Sequence, residues 1–399
     1  MLTEKHLERY AEVLIWALKK GRHQKFKKND VVLIRYDPPA TRLAEILHAR
    51  LLGMGLCPIP RAGLTTTLEH DFFKLSNKHQ LTFHIPGDAE LYNALNGSIF
   101  LHAPESITHL GDIDPARISS AALARKYLRD ILSKREEQGD FSWTLCMLPT
   151  SELARHAGLS MTDYTRQIVK ACFLNRKEPL AQWRNIFRNA SHIKKWLNSM
   201  DVNYYHIQSK DVDLEITPGP ERQWIGLSGH NIPSFEIFVS PDWHGTRGTY
   251  FADQPSFRSG NYIKGVRLEF KKGRIINFYA EDGQNFLKTQ IAIDRGAGRV
   301  GEFSLTDRRF SKIDTFMAST LFDENHGGKN GNCHIAIGAS YSDTYSGNPA
   351  DLTQARKKAL GFNDSVLHWD LVNTQKKTVT AHLKTGKTKV IYENGQFSH

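Results

Sequence analysis

The sequence has no apolar run that approaches the roughly 18 residues of a membrane-spanning helix. Charged residues interrupt its N-terminal stretch and no small-residue cleavage site follows, so we expect no secretory signal peptide. Cysteine is scarce as well, because the four cysteines are scattered and form no CxxC pair. Together with a mean hydropathy of −0.45, these features predict a soluble cytoplasmic protein with reduced thiols.

The glycine motifs that bind nucleotide phosphates are missing from the first predicted strand–helix unit. The stretch VVLIRYDPPATRL, which starts at Val31, contains neither GxGxxG nor GxxxxGK[ST]. We therefore expect this unit to serve as a scaffold, a dimer surface or a wall of the substrate site. A dinucleotide-dependent oxidoreductase is excluded on the same ground.

Positive charge is in excess, with 53 Lys and Arg against 42 Asp and Glu and a formal net charge of +11. Such a balance can indicate nucleic-acid binding. Here the basic residues are spread thinly and no DNA- or RNA-binding motif accompanies them, which favours a generally basic surface. A basic nucleic-acid-binding protein without catalytic activity stays open as an alternative.

The order of the predicted elements indicates two domains. An amphipathic helix over 3–19 and a buried strand over 31–37 begin an alternation that is typical of a layered α/β domain. A single long helix is predicted over 115–139. We predict an α/β fold, α+β overall, with an N-terminal α/β domain over 1–210. A β-rich C-terminal catalytic domain with a dinuclear metal site is expected over 211–399.

Histidines and acids occur in short apolar runs of the C-terminal half. His334 lies in CHIAIG, and His368 and Asp370 lie in VLHWDLV, both of which are predicted to be strands. Residues two apart on a strand face the same side, so His368 and Asp370 can reach one metal ion. Imidazole and carboxylate are common ligands of zinc, cobalt and manganese. A hydrogen-bonded His–Asp pair on a half-buried sheet is the simpler alternative.

A carboxylate in an apolar strand also needs a partner. Glu236 lies between aromatic and β-branched residues in NIPSFEIFVSPD, where an unpaired buried charge is costly. A metal ion would be one partner, and a salt bridge to Arg247 is the alternative. Two further acids in LFDEN, Asp323 and Glu324, are predicted to support the site without binding metal.

The order of the motifs GEF, LFDEN, CHIAIGASY and HWD resembles the aminopeptidase T family, the thermophilic aminopeptidases of metallopeptidase family 29. The stretch NIPSFEIFVSPD resembles a segment of that family as well, and the resemblance extends over nearly the whole chain. The resemblance implies a metal site formed by Glu236, Glu302, His334, Tyr341, His368 and Asp370.

The sequence departs from the family pattern at three places. Phe235 replaces one of two adjacent acids, HGGKNG is inserted before the CH pair, and the HxD motif is followed by LV. The insertion is expected to form a glycine-rich loop near the site. None of the three departures removes a mapped ligand.

The resemblance further implies a homodimeric aminopeptidase that releases N-terminal amino acids from peptides with a free N-terminus. Two divalent ions (zinc, cobalt, manganese or magnesium) would bridge a water and lower its pKa, so that hydroxide attacks the scissile carbonyl. Glu302 is the catalytic candidate for the general base, or else a bridging ligand. Tyr341 is a second catalytic candidate, since its hydroxyl can stabilise the oxyanion.

A two-metal phosphoesterase is the enzymatic alternative, because a basic protein suits an anionic substrate. Such an enzyme needs Arg or Lys side chains that converge on the metal ions. The predicted ligand segments are poor in both residues, apart from Arg308 and Arg309.

Overall fold

The computed structural model describes the whole chain, from Met1 to His399. Its α-helices, numbered in chain order, are α1 (Glu4–Lys20), α2 (Thr41–Gly53), α3 (Thr66–Leu75), α4 (Lys78–Leu81), α5 (Asp88–Ala94), α6 (Pro115–Ala124), α7 (Lys126–Glu137), α8 (Ser151–His156), α9 (Met161–Ala171), α10 (Pro179–Asn198), α11 (Gln284–Ile291), α12 (Thr320–Asp323) and α13 (Gln354–Ala359). None of these helices has the length and apolar character needed to cross a bilayer.

The strands are β1 (Val31–Tyr36), β2 (Cys57–Ala62), β3 (Leu95–His102), β4 (Ser142–Met147), β5 (Val202–Ser209), β6 (Asp213–Ile216), β7 (Asn231–Ile232), β8 (Glu236–Val239), β9 (Arg247–Ala252), β10 (Ser256–Arg258), β11 (Asn261–Ile263), β12 (Val266–Lys271), β13 (Arg274–Tyr279), β14 (Val300–Thr306), β15 (Asn332–Gly338), β16 (His368–Asn373), β17 (Lys377–Leu383), β18 (Thr388–Glu393) and β19 (Gln396–Phe397). They are concentrated after residue 200, as the sequence predicts.

The chain forms two compact units. The first contains residues 1–185 and 228–234, and the second contains residues 186–227 and 235–399. The first change of unit falls inside α10, and the short strand β7 belongs to the first unit. The domain boundary expected near residue 210 stays a prediction.

The first unit is built on a parallel sheet with the strand order β2-β1-β3-β4-β7. Parallel neighbours need crossover connections, and helices provide them here. Val32, Leu33 and Ile34 of β1 are all buried, as expected for an inner strand that is covered on both faces. The predicted α/β architecture is therefore confirmed.

The single helix predicted over 115–139 is wrong, because the structure has two helices that are separated at Arg125. Ile118 of α6 packs into a cluster with buried side chains of α3 and α4. Leu132 of α7 packs instead against a cluster from β1 and β3. The two halves thus turn towards different parts of the core, which the local apolar pattern does not reveal.

The second unit contains two larger antiparallel sheets. One has eight strands in the order β13-β12-β9-β6-β5-β17-β18-β19, and the other has four in the order β16-β15-β14-β8. Every residue of β14 and β15 is buried, including the polar residues Glu302, Ser304 and His334. The Tyr250 hydroxyl of β9 donates a hydrogen bond to the Leu371 carbonyl of β16 at 2.7 Å and so connects the two sheets.

Candidate metal centre

Five of the six predicted site residues lie on the four-stranded sheet. Glu236 begins β8, Glu302 lies on β14, His334 on β15, and His368 and Asp370 on β16. These strands are consecutive neighbours in the sheet. Because adjacent strands lie about 4.8 Å apart, side chains on one face of them can converge.

His334 is the central residue of the cluster. Its Nε2 atom lies 3.1 Å from Glu302 Oε1, 3.3 Å from Glu236 Oε2 and 3.8 Å from Asp370 Oδ1. The Ser304 hydroxyl donates a hydrogen bond to Glu236 Oε2 at 3.3 Å. Glu236, Glu302 and His334 each offer one ligand atom, and these atoms lie within 4.8 Å of one another.

His368 approaches the same cluster from the edge strand. Its Nε2 atom lies 3.4 Å from Asp370 Oδ1 and 3.8 Å from Glu302 Oε2. Its Nδ1 atom lies 2.9 Å from the Ala339 carbonyl, which can only accept a hydrogen bond. In the neutral ring the proton therefore sits on Nδ1, and the lone pair of Nε2 faces the carboxylates, which is the tautomer of a metal ligand.

Gly338 allows β16 to begin close to the end of β15. Its φ of +107° lies in a region that residues with a side chain rarely adopt, and a Cβ atom there would lie 2.1 Å from the Leu367 carbonyl oxygen. Leu367 directly precedes His368 on the chain. The final glycine of CHIAIG thus helps to place the His368 side chain.

Tyr341 lies beside the cluster on the loop that follows β15. Its ring centroid is 4.7 Å from that of His368. Its backbone N–H donates to the Ser240 hydroxyl at 2.8 Å, which fixes the loop just beyond β8. The sixth predicted residue is therefore near the other five, although it is not on the sheet.

The cluster is closed on one side and open on the other. The side chains of His334 and Glu302 are 1% and 4% exposed, whereas those of His368 and Asp370 are 18% and 15% exposed. Tyr341 is 37% exposed. A substrate would therefore approach from the side of His368, Asp370 and Tyr341.

Burial and close packing change the pKa values of the cluster. Burial and the nearby charge of Glu302 raise the pKa of Glu236 to about 8. Burial acts to lower the pKa of His334, but the hydrogen bond to Glu302 and the charge of Glu236 raise it to about 9. Burial acts to raise the pKa of Asp370, but the charge of His368 holds it at about 2. Without a cation, the cluster therefore holds protons at neutral pH.

Sequence reasoning missed the role of Asn325. Its side chain is fully buried, and its carboxamide oxygen accepts a hydrogen bond from the backbone N–H of Phe235, the residue before Glu236. Its Nδ2 group donates to the Leu321 carbonyl at 3.0 Å. Asn325 thus ties α12 to the start of β8, and its place inside LFDEN was the only signal in the sequence.

The two acids of LFDEN have different surroundings. Asp323 accepts hydrogen bonds from the backbone N–H groups of Met317 and Ser319 at 2.7 and 2.9 Å, so it stabilises a loop. Glu324 is buried. Desolvation of the Tyr341 hydroxyl and the charges of nearby carboxylates, Glu324 among them, raise the pKa of Tyr341. The charge of Glu324 therefore acts on the Tyr341 hydroxyl, beside the cluster.

The salt bridge considered as an alternative partner of Glu236 is wrong. The Arg247 guanidinium pairs with Glu215, with Nε and Oε2 2.8 Å apart. The alternative of an isolated His368–Asp370 pair does not describe the site fully. Glu302 Oε2 lies 3.8 Å from His368 Nε2, and His334 Nε2 lies 3.8 Å from Asp370 Oδ1.

The chain also matches a family of known metalloproteases. The model of the thermophilic metalloprotease (M29) family matches residues 3–397. The chain belongs to the thermophilic metalloprotease (M29) family. The family predicted from the sequence is confirmed, and with it the prediction of a metal-dependent peptidase that acts on peptides.

Curated members of the M29 family have related sequences. The chain is 29% identical to "Aminopeptidase 2" of Geobacillus stearothermophilus over 333 residues, which are 76% of this chain and 77% of that protein. It is 27% identical to "Aminopeptidase T" of Thermus aquaticus over 274 residues, 64% of this chain and 65% of that protein. Neither the phosphoesterase nor the nucleic-acid-binding alternative is favoured by these matches.

The chain also shares its fold with a solved structure. The chain matches the structure titled "Wild-type AmpT from Thermus thermophilus" with a TM-score of 0.79 and 21% sequence identity. The match covers 99% of this chain and 100% of that one. The predicted fold class is thereby confirmed along the chain.

The donor set of this M29 protein fits divalent metal ions. Three carboxylates and two imidazoles converge, and their polar atoms face one another at 3.1 to 3.8 Å. A buried excess of carboxylate is costly unless a cation offsets it. Mixed imidazole and carboxylate donors suit several divalent metals, among them zinc, cobalt and manganese.

Proposed function

We propose that this chain, a metal-dependent aminopeptidase, releases the N-terminal residue of peptides at the cluster of Glu236, Glu302, His334, His368 and Asp370. The observation that carries the proposal is the position of His334 Nε2, 3.1 to 3.8 Å from three carboxylates on a buried sheet. Such a set of donors is stable around a cation. The names of the curated M29 relatives support the choice of an exopeptidase.

The cluster would hold two divalent ions, which are zinc, cobalt, manganese or magnesium. When bound, such ions polarise a scissile carbonyl and lower the pKa of water. Glu302 supports a pair of ions, because its Oε1 faces His334 and its Oε2 faces His368. Glu236 and His334 would complete the ligands on the closed side, and His368 and Asp370 those on the open side.

Glu302 is the proposed general base. Hydrolysis requires a carboxylate that accepts a proton from the attacking water and passes it to the leaving amine. The central position of Glu302 and its burial between neighbouring strands hold its carboxylate in place for this transfer. A bridging ligand without a role in proton transfer is the alternative for the same residue.

Tyr341 is the proposed oxyanion donor. The tetrahedral intermediate of amide hydrolysis carries negative charge on the former carbonyl oxygen, and an oriented hydroxyl can donate a hydrogen bond to it. Tyr341 lies on the open side of the cluster, with its ring 4.7 Å from His368. Tyr341 is also proposed as a ligand of the second ion.

The substrate's α-amine would be recognised at the same centre. An ammonium group pairs with a carboxylate, and a neutral amine can bind a divalent ion. Either contact places the first peptide bond of the substrate, one residue away, at the reacting centre. Asp370 is the carboxylate nearest to the open side.

The test compares a free peptide with its N-acetylated twin. We expect stepwise release of single residues from the free peptide and little cleavage of the acetylated one, because acetylation removes the ammonium charge. Products are followed by mass spectrometry over time. Equal rates for the two peptides, or cleavage at an internal bond, would contradict the proposal.

A homodimer in the cytoplasm is proposed as the form of the active enzyme. All four cysteines are free thiols, which suits a reducing compartment. The dimer rests on the family resemblance. Light scattering after size-exclusion chromatography should give twice the chain mass of 45.4 kDa, and a single chain mass would contradict the dimer.

A further inference from the structure

Two arginine side chains meet at Trp243, shortly after β8. The guanidinium carbon of Arg299 lies 3.8 Å from the centroid of the Trp243 ring, and that of Arg274 lies 5.5 Å from it. The His244 ring stacks on the same indole, with the two ring centroids 3.7 Å apart. Arg274 begins β13 and Arg299 directly precedes β14, so two segments bring their positive charges to one ring. Trp243, Arg274 and Arg299 are called the arginine site below.

Backbone contacts hold the arginine site together. Gly273, in the turn between β12 and β13, has a φ of +74°, and a Cβ atom there would lie 2.0 Å from the Trp243 carbonyl oxygen. The Gly273 N–H donates a hydrogen bond to the Thr246 carbonyl at 2.8 Å. The Ile275 N–H donates to the Gly298 carbonyl at 3.0 Å. These contacts fix the backbone that carries both arginines.

Neither guanidinium of the arginine site has a carboxylate partner, because no ion pair within 4.0 Å involves Arg274 or Arg299. Asp294 is the acid whose charge acts on Arg299. Its Oδ2 atom instead accepts hydrogen bonds from the Ser365 hydroxyl at 2.9 Å and from the Val366 N–H at 2.7 Å. The two positive charges are therefore left without a neutralising side chain in direct contact.

The donors of Arg299 are only partly used. Its Nη1 group donates to the Asn363 amide oxygen at 3.2 Å, whereas its buried Nε–H has no acceptor. Burial lowers the pKa of Arg299, and the like charge of Arg274 lowers it further. A buried donor without an acceptor is costly, and two like charges beside one ring repel each other. An oxyanion bound at the arginine site would offset the repulsion and offer acceptors to the free donors.

Hydrogen bonds connect the arginine site to the open side of the candidate metal centre. Asn363, which accepts from Arg299, also pairs with Ser340. The Asn363 N–H donates to the Ser340 hydroxyl at 3.0 Å, and the Ser340 N–H donates to the Asn363 carbonyl at 2.8 Å. Ser340 directly precedes Tyr341, the proposed oxyanion donor. An extended peptide advances by about 3.3 Å per residue, so later residues of a substrate can extend from the metal centre towards this site.

We propose that Arg274 and Arg299 bind an acidic side chain of longer peptide substrates, several residues from the substrate's N-terminus. A planar guanidinium binds a carboxylate through two parallel hydrogen bonds. His244 and Arg299 both lie less than 4 Å from the indole centroid, so they cover the ring on which a nucleobase would have to stack. This favours an acidic peptide over a nucleic acid. The inference rests on the proposed aminopeptidase function.

The test uses octapeptides that begin with leucine and end in an amide, so that they carry no terminal carboxylate. Each contains a single glutamate, placed in turn at every position from the third to the eighth, among alanine, glycine and serine. Its twin has glutamine at the same position. For each pair, kcat and KM for the release of leucine are measured with the metal-loaded enzyme, and the ratio of KM values gives the preference for the carboxylate.

The variants are Arg274→Gln, Arg274→Glu and the control Arg267→Gln. Arg274 is exposed, so its replacement leaves the core intact. Arg267 also lies over an aromatic ring, 4.0 Å from the centroid of Phe251, but it has a carboxylate partner in Asp211 at 3.5 Å. We expect the wild type and the control to prefer glutamate at one or two adjacent positions by roughly three- to ten-fold in KM, with kcat unchanged. Arg274→Gln should reduce this preference, and Arg274→Glu should reverse it.

Binding is also measured without catalysis. An N-acetylated peptide with four consecutive glutamates and its glutamine twin are titrated calorimetrically into the metal-free protein at low ionic strength, where exposed charges are screened least. Tighter binding of the glutamate peptide, weakened in Arg274→Gln and kept in Arg267→Gln, would support the arginine site.

Three outcomes would overturn the proposal. The KM values for glutamate and glutamine could be equal at every position, or the preference could persist in Arg274→Gln. A single-stranded oligonucleotide could also bind more tightly than the acidic peptide and lose its binding in Arg274→Gln, which would make nucleic acid the ligand. A wild type that cleaves none of the octapeptides would instead contradict the proposed function, and the calorimetric titration would still test the arginine site.

Discussion

Glu302 presents one carboxylate oxygen to each of the two histidines, at 3.1 and 3.8 Å. This position of Glu302 is compatible with both of its proposed roles, a bridging ligand and a general base. The two roles predict different metal contents when the negative charge of Glu302 is removed. Loss of a ligand depletes the metal, whereas loss of a base leaves the metal in place. His334, whose Nε2 faces three carboxylates, is proposed only as a metal ligand and serves as the comparison.

We expect Glu302→Gln to retain its metal ions and to lose kcat by roughly 10²- to 10⁴-fold, which is the contribution of a general base. His334→Ala should lose metal itself, because it removes a central donor. Elemental analysis and steady-state kinetics measure the two effects. The control is Glu281→Gln, which removes a half-exposed acid that pairs with Lys264. If Glu302→Gln is also depleted of metal, Glu302 is a ligand first and the base is another residue.

The pKa values of Glu236 and His334 predict how the metal-free protein responds to pH. Both are raised in the folded protein, to about 8 and about 9. The folded state therefore holds these protons more tightly than the unfolded chain does. Their stabilising effect is complete below the unfolded pKa values and is lost as pH rises through the folded ones.

We therefore expect the melting temperature of the metal-free protein to fall between pH 5 and pH 8.5. Added divalent ion should reverse this trend, because metal binding requires deprotonated ligands and strengthens as pH rises. Differential scanning calorimetry with and without metal measures both curves. Glu236→Gln should flatten the metal-free curve, and a melting temperature that rises with pH in the metal-free wild type would contradict the assignment.

At the scale of elements, a hydrogen bond between the residues next to α12 and β8 helps to position Glu236. The amide of Asn325 is fully buried and accepts the backbone N–H of Phe235, directly before Glu236. This strand is short, with only four residues, so its first residue depends on neighbouring segments for its position. The LFDEN motif thus provides a structural hydrogen bond through Asn325 in addition to its two acids.

We expect Asn325→Ala to lower the free energy of unfolding by about 1–3 kcal/mol, because the Phe235 N–H is left buried without an acceptor. Metal affinity should fall as well, since Glu236 is no longer held. Urea unfolding and metal titration measure the two quantities. Asn330→Ala is the matched control, because its amide donates only to the Thr374 carbonyl of a partly buried loop. Equal losses in the two variants would contradict the role given to Asn325.

At the scale of the whole molecule, the metal ions are expected to link activity and stability. The second unit holds the whole cluster in its four-stranded sheet, so a ligand bound there stabilises the folded state by mass action. The first unit contributes none of the five clustered residues.

Chelation should therefore abolish peptide hydrolysis and lower the melting temperature, and added zinc, cobalt or manganese should restore both. Activity on an aminoacyl-p-nitroanilide and elemental analysis of the same sample provide the measurements. The control is chelator that has been saturated with metal beforehand. Full activity in a preparation shown to be free of metal would contradict the metal-dependent mechanism.

The sequence by itself determined the fold class, the family and the residue types of the site. Alternation of strands and helices in the first part and short apolar strands in the second follow from local periodicity. The same periodicity placed His368 and Asp370 on one side of β16, where their atoms lie 3.4 Å apart. Motif order along the chain was enough to identify the M29 family.

Only the tertiary structure decided which of these residues and elements contact one another. Strand periodicity states which side a residue faces, but strand pairing depends on contacts between residues far apart in the chain. The position of Glu302 between His334 and His368, the tie from Asn325 and the pairing of Arg247 with Glu215 are all of this kind. The break between α6 and α7 has the same cause, since each half packs against a different part of the core.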